Sequence, residues 1–253
     1  MNIVLEIEYD GRGFFGWQIQ KHKPTVQGAI EEALKKLFLR RIKLYGAGRT
    51  DAGVSALGQV ANFILEPQSD REKEYLKEPV KLKRALNALL PRTIYIKNIR
   101  YAHNDFHARY KASSKIYQYK ILTNPSPLRE GFAWVVNYPL DFTKIEEGIK
   151  LFVNHHNYGP FCGITKTHGA VKIKNIKLKK VRDEIYITIE ADRFLYKMAR
   201  RIVGALVDLG CAKRNLAEVK NALLGLTHRP LSCAPAHGLL LVKVKYPQRY
   251  FLK

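Results

Sequence analysis

The sequence predicts a mixed α/β fold, in which both halves of a chain of 253 residues contain strands and helices. Two observations indicate this class. Apolar and polar residues alternate over short stretches at the start, middle and end of the chain, as in half-buried strands. Between these stretches, apolar residues recur at helical spacing, and amphipathic helices of this kind cover the faces of a sheet.

The first half begins with a predicted strand over NIVLEIEY (2–9), followed by a glycine-rich turn. Thr25 is predicted to cap a helix, because apolar residues follow it on one helical face. The stretch 66–79 is charged and bounded by prolines, which indicates a surface loop. The remaining predicted elements are a strand at 59–65, a helix over 81–90 between Pro79 and Pro91, and a strand at 93–101.

The second half again combines strands and helices without repeating the sequence of the first. Thr143 and Glu146 form a capping box that predicts the start of a helix. An apolar stripe over 195–210 predicts a longer helix, with Arg200 and Arg201 at opposite edges of its polar side. The remaining predicted elements are strands at 115–122 and 237–246, a hairpin of 176–181 with 185–191, and a helix over 215–225.

A domain boundary is predicted near residues 105–112, where FHARYKAS separates the two halves. It divides the chain into an N-terminal α/β domain, 1–107, and a C-terminal α/β domain, 108–253. Both halves of the chain are basic.

The charge of the chain is its most unusual bulk property. It has 44 Lys and Arg against 22 Asp and Glu, a net charge of +22. Such an excess indicates a polyanionic partner, with an anionic membrane surface as the other candidate. No long apolar run predicts a membrane-spanning helix, and the N-terminal stretch is typical of a strand rather than a signal peptide.

The cysteines and histidines do not form a metal-binding pattern. Cys162, Cys211 and Cys233 are widely spaced, and their spacing predicts neither a disulfide framework nor a structural zinc site. The histidines show no HxxxH or HExxH spacing. We therefore expect no metal site and a reducing, cytoplasmic location.

The most informative stretch is GAGRTDAGVSALGQ, residues 46–59, which carries the acidic residue Asp51 between glycines. Asp51 is the only acidic residue between Glu32 and Glu66. An aspartate beside glycine is most often a turn residue that bonds nearby backbone N–H groups. The alternative is a nucleophile or base on a tight loop, kept ionised by Arg49 and approached closely by a substrate. Local chemistry leaves both interpretations open.

Aromatic residues supply further candidates for binding. Phe14, Phe15 and Trp17 lie in the glycine-rich turn, where they suit either base stacking or packing in the core. Tyr117 and Tyr119 lie two residues apart on one strand, so they share a face. One of the two tyrosines suits the core and the other the floor of a pocket.

Seven blocks of the chain resemble, in order, the tRNA pseudouridine synthase A family. The central block is GAGRTDAGVSALGQVANF, and the resemblance spans most of the chain. One departure is Ser55, where the family often has histidine. The other blocks are YDGRGFFGWQIQ, TVQGAIEEAL, ALNALLPRTIYI, FHARYKASSKIYQYKI, FLYKMARRIVGALVDLG and APAHGLLLVKVKYP.

The resemblance implies an isomerase that converts uridine to pseudouridine at positions 38, 39 and 40 of the tRNA anticodon stem-loop. It implies that Asp51 is the nucleophile, attacking the sugar or the base ring, and that Arg200 pairs with its carboxylate. Tyr117 would stack on the uracil and assist proton removal at C5. Arg49 would occupy the space that the flipped base leaves.

The resemblance also implies a homodimer that binds tRNA without a metal or organic cofactor. The family's fold has two similar α/β domains, whose mostly antiparallel sheets join into one central sheet beside a basic cleft. Two alternatives remain beside this interpretation. One is a non-catalytic RNA-binding or ribosome-associated protein, and the other is an aspartate-dependent enzyme for a small anionic substrate.

Overall fold

The computed structural model of the chain describes residues 1–153, 157–163, 170–226 and 230–252. It divides into two compact units, which we call the first unit (Met1–Ser113 with Leu241–Lys253) and the second unit (Ser114–Leu240). Each unit combines strands, most of them paired antiparallel, with three helices in its described part. The predicted mixed α/β class is therefore confirmed.

The sheet of the first unit contains five strands among the described residues. They are β1 (Asn2–Tyr9), β2 (Tyr45–Gly46), β3 (Ser55–Ile64), β4 (Ile94–Ala102) and β9 (Leu239–Lys245). The order is β4–β1–β3–β9, with β1 antiparallel to both β3 and β4. The short strand β2, which the sequence analysis did not predict, pairs with β3. Strand β1 is central, and its Ile3, Leu5 and Ile7 are completely buried.

The helices of the first unit are α1 (Val26–Phe38), α2 (Asp70–Lys77) and α3 (Pro79–Leu89). Helix α1 begins at its predicted cap, since the Thr25 hydroxyl accepts a hydrogen bond from the Gly28 amide at 3.3 Å. Its predicted apolar stripe is buried. Helix α3 begins at Pro79, as predicted, and packs against α1 and β4.

The prediction of a loop over 66–79 is wrong, because α2 occupies most of that stretch. Ser69 caps the helix by accepting the Glu72 amide at 3.3 Å. The Glu72 carboxylate accepts the Gln68 amide at 2.8 Å and pairs with Arg40. The sequence carries the S-x-x-E signature of a helix start. No apolar stripe accompanies this signature, because the helix is mostly charged and buries only Glu72 and Leu76. The ion pair with distant Arg40 compensates for the small buried apolar surface.

The second unit contains β5 (Ser114–Leu122), β6 (Trp134–Val135), β7 (Ile173–Val181) and β8 (Glu184–Ala191). Strand β8 lies between β5 and β7 and is antiparallel to both, whereas the unpredicted short strand β6 is parallel to β5. The predicted hairpin is confirmed as β7 and β8. Every second residue of β8, from Ile185 to Ala191, is buried.

The helices of the second unit are α4 (Phe142–Val153), α5 (Met198–Gly210) and α6 (Leu216–Leu223). Helix α6 begins with a capping box between Asn215 and Glu218. The predicted capping box of Thr143 is wrong. Asp141 caps α4 instead, because its carboxylate accepts the Lys144 amide at 3.2 Å. The Asp141 amide donates to the Gly210 carbonyl at 2.9 Å, a tertiary contact that places the helix start.

Helix α5 is more deeply buried than its one-sided apolar stripe predicts. Of its thirteen residues only Arg200 and Arg201 are not buried, and both are half-buried. The helix begins at Met198 rather than at residue 195, because Lys197 adopts a left-handed conformation with φ of 61°. Helix α4 explains part of this burial, since it packs against α5.

The compact units do not coincide with two continuous halves of the chain. The first unit extends to Ser113 and includes most of β9, because β9 lies beside β3 in the sheet. The pairing of two strands so far apart in sequence does not change the local pattern of apolar and polar residues, so that pattern does not predict it. The division into domains 1–107 and 108–253 stays a prediction.

We expect Glu72→Gln to lower the free energy of unfolding by about 1–2 kcal/mol at pH 7, because it weakens the charged hydrogen bonds of a side chain that is only 8% exposed. The Arg40 hydrogen bond lowers the pKa of Glu72. This contribution is therefore complete above the unfolded pKa of about 4.3 and is lost as pH falls through the lower folded value. Urea denaturation at pH 7 and pH 3 measures both effects.

The matched control is Glu74→Gln on the same helix, since the Glu74–Lys81 ion pair is exposed and should contribute little. Equal effects of the two substitutions at pH 7 would contradict a special role for the buried carboxylate.

Candidate active site

Asp51 lies in the loop of residues 47–54 that connects β2 to β3. The Asp51 carbonyl accepts the Val54 amide at 3.2 Å, across a turn in which Gly53 has φ of 79°. Further back in the loop, the Gln59 side-chain amide donates to the Gly48 carbonyl at 3.0 Å. The backbone of Asp51 thus forms part of a turn, and the residue is half-buried.

The glycine-rich turn (residues 10–17) packs directly against the Asp51 loop. The Trp17 amide donates to the Thr50 carbonyl at 3.1 Å, and the Gly53 amide donates to the Phe14 carbonyl at 3.4 Å. Gly16 has φ of 89°, and a Cβ at this position would lie 2.6 Å from the Thr50 carbonyl oxygen. Only glycine permits both this conformation and this approach.

For Trp17, the structure decides between the two predicted roles, base stacking and packing in the core. It is 2% exposed and belongs to the core, where a Cβ on Gly46 would overlap its indole ring. Gly46 therefore serves internal packing rather than the approach of a substrate. Phe15, in contrast, is 46% exposed, and the Lys23 ammonium lies 4.8 Å from its ring centroid.

The buried hydroxyl groups of Thr50 and Ser55 support the loop, a role that the sequence did not predict for either. The Thr50 hydroxyl, next to Asp51, shares a hydrogen bond of 2.8 Å with the Tyr9 hydroxyl. Burial raises the pKa of Tyr9, so this phenol stays protonated. The Ser55 hydroxyl accepts the Gly11 amide at 3.0 Å. Ser55, the departure from the family pattern, thus ties the glycine-rich turn to β3.

Arg49 is exposed and lies two residues before Asp51 on the same loop. Its Nε donates to the Gln18 side-chain oxygen at 3.2 Å, which holds the guanidinium beside the glycine-rich turn. The structure therefore brings Arg49 and Asp51 onto one supported loop. The effect of Arg49 on the ionisation of Asp51 stays a prediction.

Tyr117 and Arg200 both belong to the second unit. Tyr117 is 7% exposed, and its ring meets that of Phe194 edge to face, with centroids 4.8 Å apart. Tyr119, on the same face of β5, is completely buried and donates its hydroxyl to the Pro235 carbonyl at 2.8 Å. Both tyrosines are therefore buried, and Tyr119 is the more deeply buried of the two.

The segment Ala234–Pro235 places Arg200 near these tyrosines. Arg200 Nε donates to the Ala234 carbonyl at 2.7 Å, and the Ala234 amide donates back to the Arg200 carbonyl at 3.1 Å. Burial raises the pKa of Tyr119, and the charge of Arg200 partly opposes this effect. Adjacent carbonyls therefore hold Arg200 and Tyr119 together, on the face of β5 that also carries Tyr117.

Of the four predicted site residues, Arg49 and Asp51 thus lie on one loop of the first unit, whereas Tyr117 and Arg200 lie in the second unit. Within the described ranges, no three His, Cys, Asp or Glu residues are grouped so that they could hold a metal ion. Among the same residues, no helix has both the length and the apolar character needed to cross a membrane.

A carboxylate on a rigid loop, in a basic α/β protein, is the arrangement expected of an enzyme that acts on nucleic acid. Residues 6–111 and 149–247 match the family model described as tRNA pseudouridine synthase. The chain belongs to this family of isomerases, which act on uridine in tRNA.

Similar proteins extend over nearly the whole chain. A protein named tRNA pseudouridine synthase A from Thermoanaerobacter sp. (strain X514) is 36% identical over 250 residues, which are 97% of this chain and 99% of that protein. One of the same name from Methylacidiphilum infernorum (isolate V4) is 37% identical over 254 residues, with coverages of 96% and 94%. A third, from Caldicellulosiruptor bescii, is 38% identical over 250 residues, with coverages of 97% and 99%.

These findings confirm the resemblance and the assignment as a tRNA-modifying isomerase. Of the three interpretations that the sequence left open, the non-catalytic RNA-binding protein and the enzyme for a small anionic substrate are therefore set aside. The particular uridines and the chemical roles of the four site residues go beyond the match and are treated below as proposals.

We expect Gly16→Ala to destabilise the protein by about 2 kcal/mol, because it forces a strained backbone against the Thr50 carbonyl. Since the same backbone carries Asp51, uridine isomerisation in tRNA should fall at temperatures where the variant is still folded. Thermal unfolding and a tRNA modification assay measure the two effects. Gly13→Ala in the same turn is the control, because nothing lies within 4 Å of a Cβ there. Full activity and stability of Gly16→Ala would show that the close approach is unnecessary.

Proposed function

We propose that the protein converts uridine to pseudouridine at positions 38, 39 and 40 in the anticodon stem-loop of tRNA, with Asp51 as the nucleophile. The observation that carries this proposal is the continuous family match through the Asp51 loop. The geometry supports it, since this loop holds a half-buried carboxylate on backbone that neighbouring segments fix in place.

The chemistry assigned to Asp51 is a rearrangement without net gain or loss of atoms. The N1–C1′ glycosidic bond breaks, the uracil turns, and a C5–C1′ bond forms while a proton leaves C5 and N1 gains one. Asp51 must be ionised to act as a nucleophile, at C1′ or at the base ring. The rigid loop limits the motion of the carboxylate, which favours attack from one direction.

Arg49 is proposed to stabilise the flipped-out state of the target nucleotide. A stacked base cannot reach a nucleophile, and its extraction costs a few kcal/mol. Arg49 is exposed, positively charged and on the same loop as Asp51, and Gln18 orients it. It can therefore take the place of the base in the stack and contact the RNA backbone.

Tyr117 and Arg200 are proposed to act on the same uridine. The Tyr117 ring, braced by Phe194, would stack on the uracil, and its hydroxyl would assist removal of the C5 proton. Arg200 would pair with the Asp51 carboxylate, while the Ala234 carbonyl fixes the orientation of its guanidinium. A bidentate pair of this kind holds a carboxylate ionised and in one orientation.

The proposal includes a homodimer in the cytoplasm that binds tRNA without a metal or organic cofactor. No disulfide joins Cys162, Cys211 and Cys233, which suits a reducing compartment. The charge of +22 supplies cations for the phosphates, so tRNA affinity should fall steeply with salt. Sedimentation equilibrium would support the dimer with a mass twice the 29.1 kDa of the chain.

We expect Asp51→Asn to reduce pseudouridine formation by at least about 10³-fold, because the amide keeps the shape of the side chain and loses its nucleophilic charge. Chemical mapping of pseudouridine in anticodon stem-loop RNA measures the rate, and filter binding measures affinity, which should be retained. Asp105→Asn, an exposed acid of the same unit, is the control. Pseudouridine formation by Asp51→Asn at the wild-type rate would remove the nucleophile from the proposal.

Arg49→Ala should lower the rate about tenfold and reduce base flipping, because the vacated stack loses its replacement side chain. A stem-loop RNA with 2-aminopurine beside the target uridine reports flipping as a rise in fluorescence. Arg92→Ala removes another exposed arginine of the first unit and controls for the loss of one positive charge. If both variants lower flipping equally, Arg49 acts only through its charge.

A further inference from the structure

Three aromatic rings lie side by side at the surface of the first unit, and none of them belongs to the four predicted site residues. Tyr45 belongs to β2, and His107 and Tyr110 belong to the turn that follows β4. The ring centroids are 5.1 Å apart for Tyr45 and His107, and 4.5 Å apart for His107 and Tyr110. Tyr45 and His107 are half-buried, whereas Tyr110 is 74% exposed. The row of rings thus ends in an aromatic side chain open to solvent.

The turn that carries two of these rings is firmly anchored. Phe106 and Ala108, on either side of His107, are buried. The Asn2 side-chain amide donates to the Phe106 carbonyl at 2.8 Å, and the Ala108 amide donates to the Asn62 side-chain oxygen at 2.9 Å. The backbone is therefore held in place before any ligand binds, which lowers the entropy lost on binding.

Asn62 also connects the turn to the third ring. In the pairing of β2 with β3, Asn62 is the register partner of Tyr45. The same residue thus faces the strand of Tyr45 and holds the turn of His107. Tyr45 directly precedes Gly46, the first residue of the motif that carries Asp51.

Positive charges lie at both ends of the row. The Lys43 ammonium is 5.2 Å from the Tyr45 ring centroid, and the Arg109 guanidinium is 5.8 Å from that of Tyr110. Partial burial and the charge of Arg109 lower the pKa of His107, so its ring is neutral at physiological pH. Aromatic rings flanked by cations are the chemistry by which proteins bind unpaired nucleotides.

We propose that Tyr45, His107 and Tyr110 form a stacking subsite for an unpaired nucleotide of the anticodon loop, with Lys43 and Arg109 on the adjoining phosphates. The anticodon loop as occupant rests on the proposed function. Tyr110 carries the argument, because a side chain with three quarters of its surface exposed gains little from packing within the protein. A base stacked on its ring would bury that surface.

The experiment compares Tyr110→Ala, Tyr110→Phe and Tyr95→Ala with the wild type. Tyr95 is the matched control, a tyrosine of β4 in the same unit that is 51% exposed. The probe is an anticodon stem-loop RNA with 2-aminopurine in the loop, whose fluorescence is quenched on stacking. We expect Tyr110→Ala to raise Kd about tenfold and abolish the quenching, since the substitution removes one base–aromatic stack. Tyr110→Phe and Tyr95→Ala should behave as the wild type.

Thermal unfolding and pseudouridine mapping on the same samples separate the possible results. Wild-type affinity and quenching in Tyr110→Ala would overturn the stacking subsite, as would a loss of binding matched by a loss of folded protein. Wild type that leaves positions 38, 39 and 40 unmodified would instead overturn the proposed function, and with it the anticodon loop as occupant. Failure of the stacking subsite and failure of the proposed function are distinguishable, because the first is measured on Tyr110→Ala and the second on the wild type.

Discussion

The structure of the candidate site depends on the close approach of two backbone segments, the glycine-rich turn and the Asp51 loop. Carbonyl and amide groups of the two segments bond across a gap too narrow for a Cβ at Gly16. The indole of Trp17 and the phenol of Tyr9 fill the space around them as part of the core. Because the contact is made by backbone, the side chain of Asp51 extends from a segment that is held in place by hydrogen bonds and close packing.

Backbone carbonyls and amide oxygens also orient many of the arginines. Arg200 donates to Ala234, Arg49 to Gln18, and Arg193 to Ala170. With 22 acidic residues against 44 basic ones, one-to-one pairing would leave at least half of the arginines and lysines without a carboxylate of their own. A neutral acceptor fixes the direction of a guanidinium without cancelling its charge. The chain thereby keeps ordered positive charge for the phosphates of tRNA, the substrate class of its family.

Elements with strong local signals were predicted well. Strand β1 alternates apolar and polar residues from Leu5 to Tyr9, α1 has a capping threonine before an apolar stripe, and α3 begins at a proline. Elements that depend on distant partners were missed or misplaced. Helix α2 is stabilised by an ion pair with Arg40, α4 starts where Asp141 meets Gly210, and β2 exists only as a partner of β3. Such contacts join residues that are far apart in the sequence, so the local pattern of apolar and polar residues does not predict them.

The candidate site likewise combines features that the sequence predicts with features that only the folded structure shows. Residue types and their order were enough to suggest the family, and the resemblance nominated Asp51, Arg49, Tyr117 and Arg200 as site residues, because each lies in a compact motif. Their supports are visible only in the folded chain: Gly16 and Trp17 beneath the loop, the Tyr9–Thr50 hydroxyl pair, and the carbonyl of Ala234. The physical reason is that hydrogen bonds and close packing depend on distances in space. Residues separated by tens of positions in the chain acquire those distances only when the sheet and helices assemble.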